Sequence, residues 1–335
     1  METEMLKLAY LTLLFFSYTA HALIETHTLQ SKVYETKISF DISLPSSYLT
    51  APARLYPVIY VLHGQWDMPI TTATLDIMAG EAPEFIVIGI RVKGQQLQPI
   101  ANKMNSEGER FRQHLNHEFL PYIHQNYRIA PYSILLGHSN AGRFALEQLL
   151  TSNTLFNDYF VFSPSLEDGF LTKLATQSSP ISGHLFLSIA NEGKHMQTPF
   201  DEVTQLLNKQ SKLVFKAQKY PELSHQSSKI VALVNALQFR FNLWQPSYDT
   251  KVAGFDSLMN HYRTLEQEFG FPVLPEQDDL IRLIAHFAIE NNQTEIEKII
   301  PFLLQHYPEG QASLKEIKQY LFQEGLSAAA KRIKI

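Results

Sequence analysis

The segment that most constrains the fold of this chain runs from Tyr132 to Leu146, where an apolar stretch passes directly into Gly-His-Ser-Asn-Ala-Gly and then into a helical pattern. A serine at such a junction lies on a sharp turn between a strand and a helix, and its hydroxyl projects from the end of a sheet. Gly137 and Ala141 flank Ser139 two residues to either side, and their small size lets the strand and the helix approach closely. The pattern predicts Ser139 as a candidate nucleophile; the alternative is a serine that only caps the helix.

Composition excludes several classes of function. The chain has 335 residues, 45% hydrophobic and 18% charged, which is typical of a globular protein with one large and one small domain. The net charge is −5 and no basic stripe is present, so nucleic acid is not an expected partner. The chain has no cysteine, which excludes disulfides and thiolate chemistry. His114 and His117 lack a third zinc ligand and are interpreted as helix-surface residues, so no metal or organic cofactor is predicted.

The N-terminus predicts export. Lys7 precedes an apolar run over residues 8–16, and Ala20-His21-Ala22 matches a signal-peptide cleavage site. The apolar run is too short to span a bilayer comfortably. An uncleaved anchor and an N-terminal helix packed on the core are the alternatives. We therefore expect residues 1–22 to be a signal peptide and the mature protein to be periplasmic or secreted, without stable membrane insertion.

Short apolar stretches alternate with helical patterns between residues 30 and 244. Continuous apolar runs such as residues 56–62 are typical of strands buried on both faces of a parallel sheet. Alternating strands and helices predict an α/β fold with a mostly parallel central sheet. Strands are predicted over residues 32–44, 56–62, 85–90, 133–136, 159–162, 184–190 and 212–220, and helices over 109–125, from the elbow to about 150, 201–209 and 227–241.

The composition changes near residue 245, where residues 244–248 have the pattern of a linker. Only helical patterns follow, and they predict a small all-α domain over residues 250–335. Pro301 lies inside one of these patterns and is expected to kink that helix or end it early. The pattern also fits helix-hairpin repeats, although no repeated signature is present. A packing appendage, a surface for a protein partner and a cover for the active site are alternative roles. The predicted helices are 255–269, 278–290, 294–305 and 313–323.

Candidate partners of Ser139 follow it along the chain. In α/β-hydrolases the order is nucleophile, acid, base. His225 lies in the predicted loop between the last strand and the last helix of the large domain, from which it can reach the elbow, and is the predicted base. Glu192 follows the strand that ends near Ala190 and is the predicted acid. Asp201 is the alternative acid, although it is also well placed to cap the helix predicted to begin there.

Two backbone N–H groups are needed to bind the oxyanion of an acyl-transfer intermediate. One is expected from Asn140, the residue after the nucleophile. The other is expected from the loop after the strand of residues 56–62, where we assign it to Gln65, with Trp66 as the alternative. Gly64 is expected to allow close approach of the backbone to the substrate.

Five stretches of the large domain together resemble one family: residues 56–64, the helix before 121–123, residues 137–139, 162–166 and 224–225. On these stretches, residues of about 33–241 are similar to the Putative esterase family of α/β-hydrolases, which includes esterase D, enterochelin-type siderophore esterases, feruloyl esterases and mycolyltransferases. The resemblance implies an α/β-hydrolase fold with Ser139 as nucleophile, Glu192 as acid and His225 as base. The expected reaction is hydrolysis of small-molecule carboxylic esters.

The sequence departs from the family pattern at three places. Ala141 stands where glycine is common, residues 167–169 replace a common aromatic pair, and residues 95–99 replace a common Arg-Asp-Leu-Thr-Pro stretch. The last two changes are expected to reshape the substrate pocket. An acyltransferase with the same residues, or a non-catalytic binding module, are the alternative functions.

Overall fold

The computed structural model describes residues 23–97, 99–100, 103–104, 106–151, 155–166, 170–176 and 180–335. Residues 1–22, where the sequence predicts a signal peptide, lie outside the described residues. The chain divides into two compact units, which we call the α/β unit (residues 23–45 and Leu55–Gln245) and the helical unit (Ser46–Arg54 and Pro246–Ile335). The sequence-based boundaries of 30–244 and 250–335 differ from this division, because Ser46–Arg54 groups with the C-terminal helices.

A central sheet forms the core of the α/β unit. Within the described residues it contains eight strands in the order β1-β2-β4-β3-β5-β6-β7-β8. The pairs β1/β2 and β2/β4 are antiparallel and the other five pairs are parallel, which confirms the predicted mostly parallel sheet. The strands are β1 (Ile24–Ser31), β2 (Thr36–Ser43), β3 (Tyr56–Leu62), β4 (Ile86–Ile90), β5 (Ile129–His138), β6 (Asp158–Phe162), β7 (Ser182–Ile189) and β8 (Lys212–Lys219). A separate hairpin joins Pro99–Ile100 to Lys103–Met104.

Helices connect the parallel strands. The strands β3, β4 and β6 are buried along their whole length, and burial of each large aliphatic side chain contributes roughly 1.5–3 kcal/mol. The continuous apolar runs of the sequence are therefore the centre of the core. The helices of this unit are α1 (Gly64–Ile77), α2 (Gly94–Leu97), α3 (Ser106–His114), a π-helical segment (Leu115–Phe119), α4 (Leu120–Asn126), α5 (Asn140–Thr151), α6 (Phe170–Ala175), α7 (Lys194–Leu207) and α8 (Ser228–Phe241).

The edge of the sheet differs from the prediction. The single strand predicted over residues 32–44 is wrong in extent, since its first part is the turn of a hairpin formed by β1 and β2. Glu35 has a φ of 55° in this turn, a conformation that interrupts a strand. The register pairs Ser31 with Thr36, so the turn spans residues 32–35.

Glu118 of the π-helical segment holds this turn. Its carboxylate accepts hydrogen bonds from Ser31 Oγ at 2.6 Å and from the N–H groups of Lys32 and Val33 at 2.8 and 3.1 Å. His114 Nδ1 lies 2.7 Å from the same carboxylate, so His114 is buried and the prediction of a helix-surface residue is wrong. Burial alone would raise the pKa of Glu118, but the hydrogen bonds outweigh it and lower that pKa to about 2.

Helix α7 begins earlier than predicted. The helix expected from Asp201 starts at Lys194, and Asp201 therefore lies in its interior and does not cap it. The helix is defined by an apolar stripe with spacings of four, three and four residues, whose members are all buried. These are Met196, Phe200, Val203 and Leu207.

The helical unit consists, within the described residues, of a short 3-10 turn and six α-helices. Arg54 Nη2 lies 4.0 Å from Glu276 Oε1, which links the two stretches of this unit. The elements are the 3-10 turn Ser46–Tyr48, α9 (Tyr248–Val252), α10 (Phe255–Phe269), α11 (Gln277–Ile289), α12 (Gln293–His306), α13 (Gly310–Gln323) and α14 (Ser327–Arg332).

Helix α12 continues through Pro301 to His306, so Pro301 does not end the helix early, and the alternative expectation, a kink, stays a prediction. A proline removes one backbone hydrogen bond to the preceding turn. The buried side chains Ile296, Ile299 and Leu303 lie on both sides of the proline and stabilise the helix by packing. Across the described residues, no helix is long and apolar enough to cross a membrane.

Candidate active site

Ser139 lies on the turn between β5, which ends at His138, and α5, which begins at Asn140. Its φ is 59°, in the left-handed region that a non-glycine residue occupies only when the surrounding structure holds it there. The Ser139 N–H donates to the Phe162 carbonyl at 2.9 Å, and the Ser139 carbonyl accepts from the Arg143 N–H at 3.0 Å. These bonds hold a turn with the geometry of a nucleophile elbow.

The small residues around Ser139 are required by close packing of the strand against the helix. A side chain on Gly137 would overlap the backbone of Ala141. A Cβ atom on Gly142 would lie 3.0 Å from the Gly137 carbonyl oxygen and 3.2 Å from that of Phe162. The close approach of β5 and α5 that the sequence pattern predicts is therefore present.

The predicted base and acid are in direct contact. His225 lies in the loop between β8 and α8, and its Nδ1 is 2.7 Å from Oε1 of Glu192, which lies in the loop between β7 and α7. The Glu192 side chain is 11% exposed and the His225 side chain 33% exposed. A carboxylate accepts the proton on Nδ1, which leaves the Nε2 lone pair of the neutral imidazole free to take a proton.

Backbone hydrogen bonds align the two loops. The Asn191 N–H donates to the Leu223 carbonyl at 2.8 Å, and the Tyr220 N–H donates to the Ile189 carbonyl at 2.8 Å. Ser163, at the end of β6, accepts a hydrogen bond from the Ala190 N–H through its Oγ at 3.2 Å. The ends of β6, β7 and β8 are thus joined, and the Glu192–His225 contact rests on fixed backbone.

Asp201, the alternative acid, has a different partner. Its Oδ1 lies 2.5 Å from Nζ of Lys219, and both side chains are about half exposed. Because Asp201 lies in the interior of α7 and pairs with a lysine, the structure brings only Glu192 of the two candidates to His225.

Gln65 and Asn140 each lie at the start of a helix. Asn140 is the first residue of α5 and Gln65 is the second residue of α1, positions whose N–H groups have no partner within a helix. The Trp66 N–H donates to the His63 carbonyl at 2.8 Å, so this alternative donor is used inside its own helix. The prediction of a loop at residues 63–65 is wrong, since α1 begins at Gly64.

Glycine is required at position 64 for a reason other than the predicted one. A Cβ atom on Gly64 would overlap the backbone of Gly89 in β4. The pair of glycines therefore allows the first turn of α1 to pack directly on the neighbouring strand. We expected the glycine to allow substrate approach, and the packing of helix on strand accounts for it without a substrate.

His138, to which the sequence analysis assigned no role, contacts the predicted base. Its Nε2 lies 2.9 Å from the His225 carbonyl oxygen, and the two imidazole ring centroids are 4.2 Å apart. Burial, together with the charges of His225 and Lys229, lowers the pKa of His138 to about 3. His138 is therefore neutral at neutral pH, and its Nε2–H donates to the carbonyl. The position directly before Ser139 in the elbow was the signal that could have identified it.

A buried ion pair connects the helices next to the predicted base and the predicted oxyanion donor. Lys229, in the first turn of α8, donates from Nζ to Asp67 Oδ1 of α1 at 2.7 Å, and both side chains are at most 12% exposed. His63 directly precedes α1 with a φ of 58°, and burial lowers its pKa. The His225 loop and the start of α1 are consequently held at the same edge of the sheet as Ser139.

Two of the three departures from the family pattern fall wholly or partly outside the described residues. These are residues 167–169, and residue 98 within the stretch 95–99. Ala141, the third, is fully buried against Gly137. A methyl group therefore fits at this position of the elbow.

The residues predicted for acyl transfer to a serine lie at one edge of the sheet. A serine in a left-handed turn, an imidazole in contact with a carboxylate, and two helix starts with free N–H groups all follow the C-terminal ends of parallel strands. The sheet order and this edge define an α/β-hydrolase fold. The family model described as Putative esterase matches residues 31–223, more than half of the chain. The chain belongs to this family, which confirms the resemblance found in the sequence, and its class is ester hydrolase. His225 lies just beyond the matched range.

Solved structures share the fold. An IroE-like serine hydrolase from Shewanella oneidensis is 24% identical with a TM-score of 0.70, covering 85% of this chain and 99% of its own. An uncharacterised protein from Capnocytophaga ochracea is 19% identical with a TM-score of 0.63, covering 92% of each chain. A siderophore hydrolase, EstA, from Aspergillus nidulans is 19% identical with a TM-score of 0.54, covering 68% of this chain and 97% of its own. No curated protein matches the chain.

The first two similarities extend beyond the α/β unit. The Shewanella and Capnocytophaga structures cover 85% and 92% of this chain, which is more than the α/β unit (residues 23–45 and 55–245) makes up. The siderophore hydrolase covers 68%, which is close to the share of the α/β unit. Part of the helical unit therefore also has a structural counterpart in the Shewanella and Capnocytophaga proteins.

Proposed function

We propose that this protein hydrolyses small-molecule carboxylic esters through an acyl-enzyme on Ser139, with His225 as general base and acid and Glu192 as the residue that orients it. The observation that carries the proposal is the 2.7 Å contact between His225 Nδ1 and Glu192 Oε1, which lies at the edge of the sheet where Ser139 occupies its left-handed turn.

In the first half-reaction, Ser139 Oγ attacks the acyl carbonyl carbon while His225 Nε2 takes the serine proton. The carbonyl oxygen becomes an oxyanion, and the N–H groups of Asn140 and Gln65 are its proposed donors, each worth about 3 kcal/mol of barrier. The tetrahedral intermediate collapses, and the alcohol leaves with the proton from His225. Glu192 accepts from Nδ1 throughout and stabilises the imidazolium.

In the second half-reaction, water attacks the acyl-enzyme. His225 Nε2 takes a proton from this water and returns it to Ser139 Oγ as the carboxylic acid leaves. An acyltransferase would use the same residues with an alcohol in place of water. Adding alcohols to the reaction and measuring the yield of the new ester separates the two activities.

Labelling with a fluorophosphonate probe tests the nucleophile. We expect the purified wild type to become labelled and Ser139→Ala to lose all labelling, because only a serine activated by a base reacts with the probe. Ser224→Ala is the matched control, since Ser224 lies beside His225 but its Oγ is paired with Ser227 Oγ at 2.9 Å. Folded wild type that remains unlabelled, or labelling that survives in Ser139→Ala, would contradict the proposal and favour a binding module.

The substrate class is proposed only as small-molecule esters. One similar structure is a siderophore hydrolase and another is an IroE-like serine hydrolase, both less than 25% identical to this chain. A panel of acyl chain lengths on a common p-nitrophenol leaving group, measured as kcat/KM, will define the acyl preference. Binding of a protein partner by the helical unit stays a prediction.

We also propose export, with cleavage after Ala22. The support is the sequence pattern of residues 1–22 together with the start of β1 at Ile24, because a mature chain beginning at Leu23 keeps the whole edge strand. N-terminal sequencing of the protein from its native host tests this. A mature N-terminus at Leu23 is expected, and an intact Met1 on cytosolic protein would contradict export.

A further inference from the structure

A polar cavity of about 220 Å³ lies between α3, the π-helical segment and α5, and it takes no part in the proposed reaction. Its floor is formed by Arg112, Asn116 and Gln148, and its exposed rim includes Glu109, His117 and Thr151. Gln148 lies eight residues after the start of α5, about 12 Å along the helix from the end that carries Ser139.

The floor presents several unpaired polar atoms. Arg112 Nε and Nη2, Asn116 Oδ1 and Gln148 Nε2 are buried, and none has a hydrogen-bond partner among the residues that the structure describes. Gln148 is 1% exposed. An unsatisfied buried donor costs about 1–3 kcal/mol, and buried polar groups of native proteins nearly always bond to protein, water or ligand. Unpaired atoms of three residues at one cavity therefore point to an occupant.

The unpaired atoms of Arg112 identify the chemistry of that occupant. Nε and Nη2 form one edge of the guanidinium, a fork of two parallel N–H donors that matches two oxygens of a carboxylate or phosphate. Among the residues that the structure describes, Arg112 pairs with Glu147, whose Oε2 lies 3.6 Å from Nη2, too far for a hydrogen bond. The guanidinium is held over the Phe144 ring at 5.8 Å, so the fork is fixed in place.

The local charge favours an anion. Glu147 is shared by Arg112 and Arg143, each 3.6 Å away, so two guanidinium groups face one carboxylate. On the rim, Glu109 is exposed to solvent, where water and salt screen its charge.

We propose that this cavity is a binding site for a small oxyanion, a carboxylate or phosphate group. The Arg112 fork and the Gln148 amide donate hydrogen bonds to it. The volume of the cavity is about seven times the ~30 Å³ share of a water molecule, which suits a small molecule. Asn116 Oδ1 accepts from a hydroxyl or a bound water beside the anion. The site lies at the opposite end of the helix that begins next to the nucleophile, so an occupant contacts α5 without contacting Ser139.

Titration calorimetry of the full chain with sodium phosphate and with sodium acetate, at constant ionic strength in a chloride buffer, tests this site. We expect saturable binding of one equivalent of at least one anion, and the preferred anion distinguishes phosphate from carboxylate chemistry. Arg112→Lys keeps the charge but removes the fork, and Gln148→Leu keeps the approximate volume but removes the donor. Each is expected to weaken binding at least tenfold.

Two controls separate a binding site from a structural network. Arg282→Lys changes an exposed arginine of α11 in the same way and should leave binding unchanged. Gln148→Leu should unfold at the same temperature as wild type or higher, because it removes an unpaired buried amide. Three outcomes would overturn the proposal. Neither anion binds saturably, both site variants bind as well as wild type, or Arg282→Lys weakens binding as much as the site variants do.

Discussion

Two carboxylates of the segment after β7 each contact a basic residue of the segment around the end of β8, and the two contacts differ in their surroundings. Glu192 contacts His225 at 2.7 Å from a loop, with its side chain 11% exposed. Asp201 contacts Lys219 at 2.5 Å from the interior of α7, with its side chain 49% exposed. The short distance is common to both, so distance alone does not identify a functional pair. In the first pair the carboxylate is partly buried and contacts an imidazole, and backbone hydrogen bonds join the two loops that carry the pair.

The physical consequence of this difference is large. An exposed ion pair between flexible side chains contributes about 0–1 kcal/mol, since water and salt screen the charges and both side chains lose rotamer freedom. A carboxylate sheltered from water keeps a neighbouring imidazole in one tautomer and one orientation. Geometry of this kind matters for a reaction more than for stability.

Replacing each carboxylate by its amide gives the largest expected difference. Glu192→Gln should lower kcat/KM for p-nitrophenyl acetate by about 10³–10⁴-fold, because the amide no longer fixes the His225 tautomer or stabilises its cation. Asp201→Asn, the matched control, should change kcat/KM by less than about twofold. Initial rates over a range of substrate concentrations measure both. A greater loss in Asp201→Asn would exchange the two assignments.

The same comparison extends to a third carboxylate. Glu118 accepts four contacts, from Ser31, His114 and two backbone N–H groups, and its pKa of about 2 shows how strongly the charged form is favoured. Glu118→Gln should lower the free energy of unfolding of the α/β unit by about 2–3 kcal/mol. The amide replaces one carboxylate oxygen with an N–H₂ group, so some of the groups that donate to Glu118 lose their acceptor. Asp201→Asn should cost less than about 1 kcal/mol. Urea unfolding followed by circular dichroism measures both, and equal losses would contradict this reading.

Local sequence signals were sufficient where one element carries its own pattern. The elbow around Ser139 was identified because its small residues and its strand-to-helix change are adjacent in sequence. Helix α10 has the predicted bounds, since its apolar stripe recurs at helical spacing and Gly270 ends it in the left-handed conformation. The position of His225 followed from chain order, which the fold imposes on loops at one edge of a sheet.

Sequence signals failed where tertiary packing decides. Helix α1 was missed because Gly64–Ile77 contains several threonines and Pro69, which disfavour helix, while contact of Gly64 with Gly89 requires the helix to start there. The burial of His114 could not be predicted, because it depends on Glu118, which also bonds a turn more than 80 residues earlier in the chain. No local pattern contains such a contact.

The smallest predicted effect concerns His138, which is the second residue in contact with His225. Its folded-state pKa of about 3 lies below the value of about 6.5 in the unfolded chain. The unfolded state therefore binds a proton as the pH falls below about 6.5 while the folded state does not. This contribution to stability is present above pH 6.5 and is lost progressively as the pH falls toward 3.

Between pH 6.5 and 5.5, wild type should lose about 1 kcal/mol more unfolding free energy than His138→Gln, whose amide still donates to the His225 carbonyl but does not titrate. His124→Gln removes an exposed histidine and should keep the wild-type pH dependence. Urea unfolding at the two pH values measures the difference. Identical pH dependence in wild type and His138→Gln would mean that His138 takes up its proton in the folded state as readily as in the unfolded chain. In that case both neighbours of His225, and not Glu192 alone, would act on it through charge.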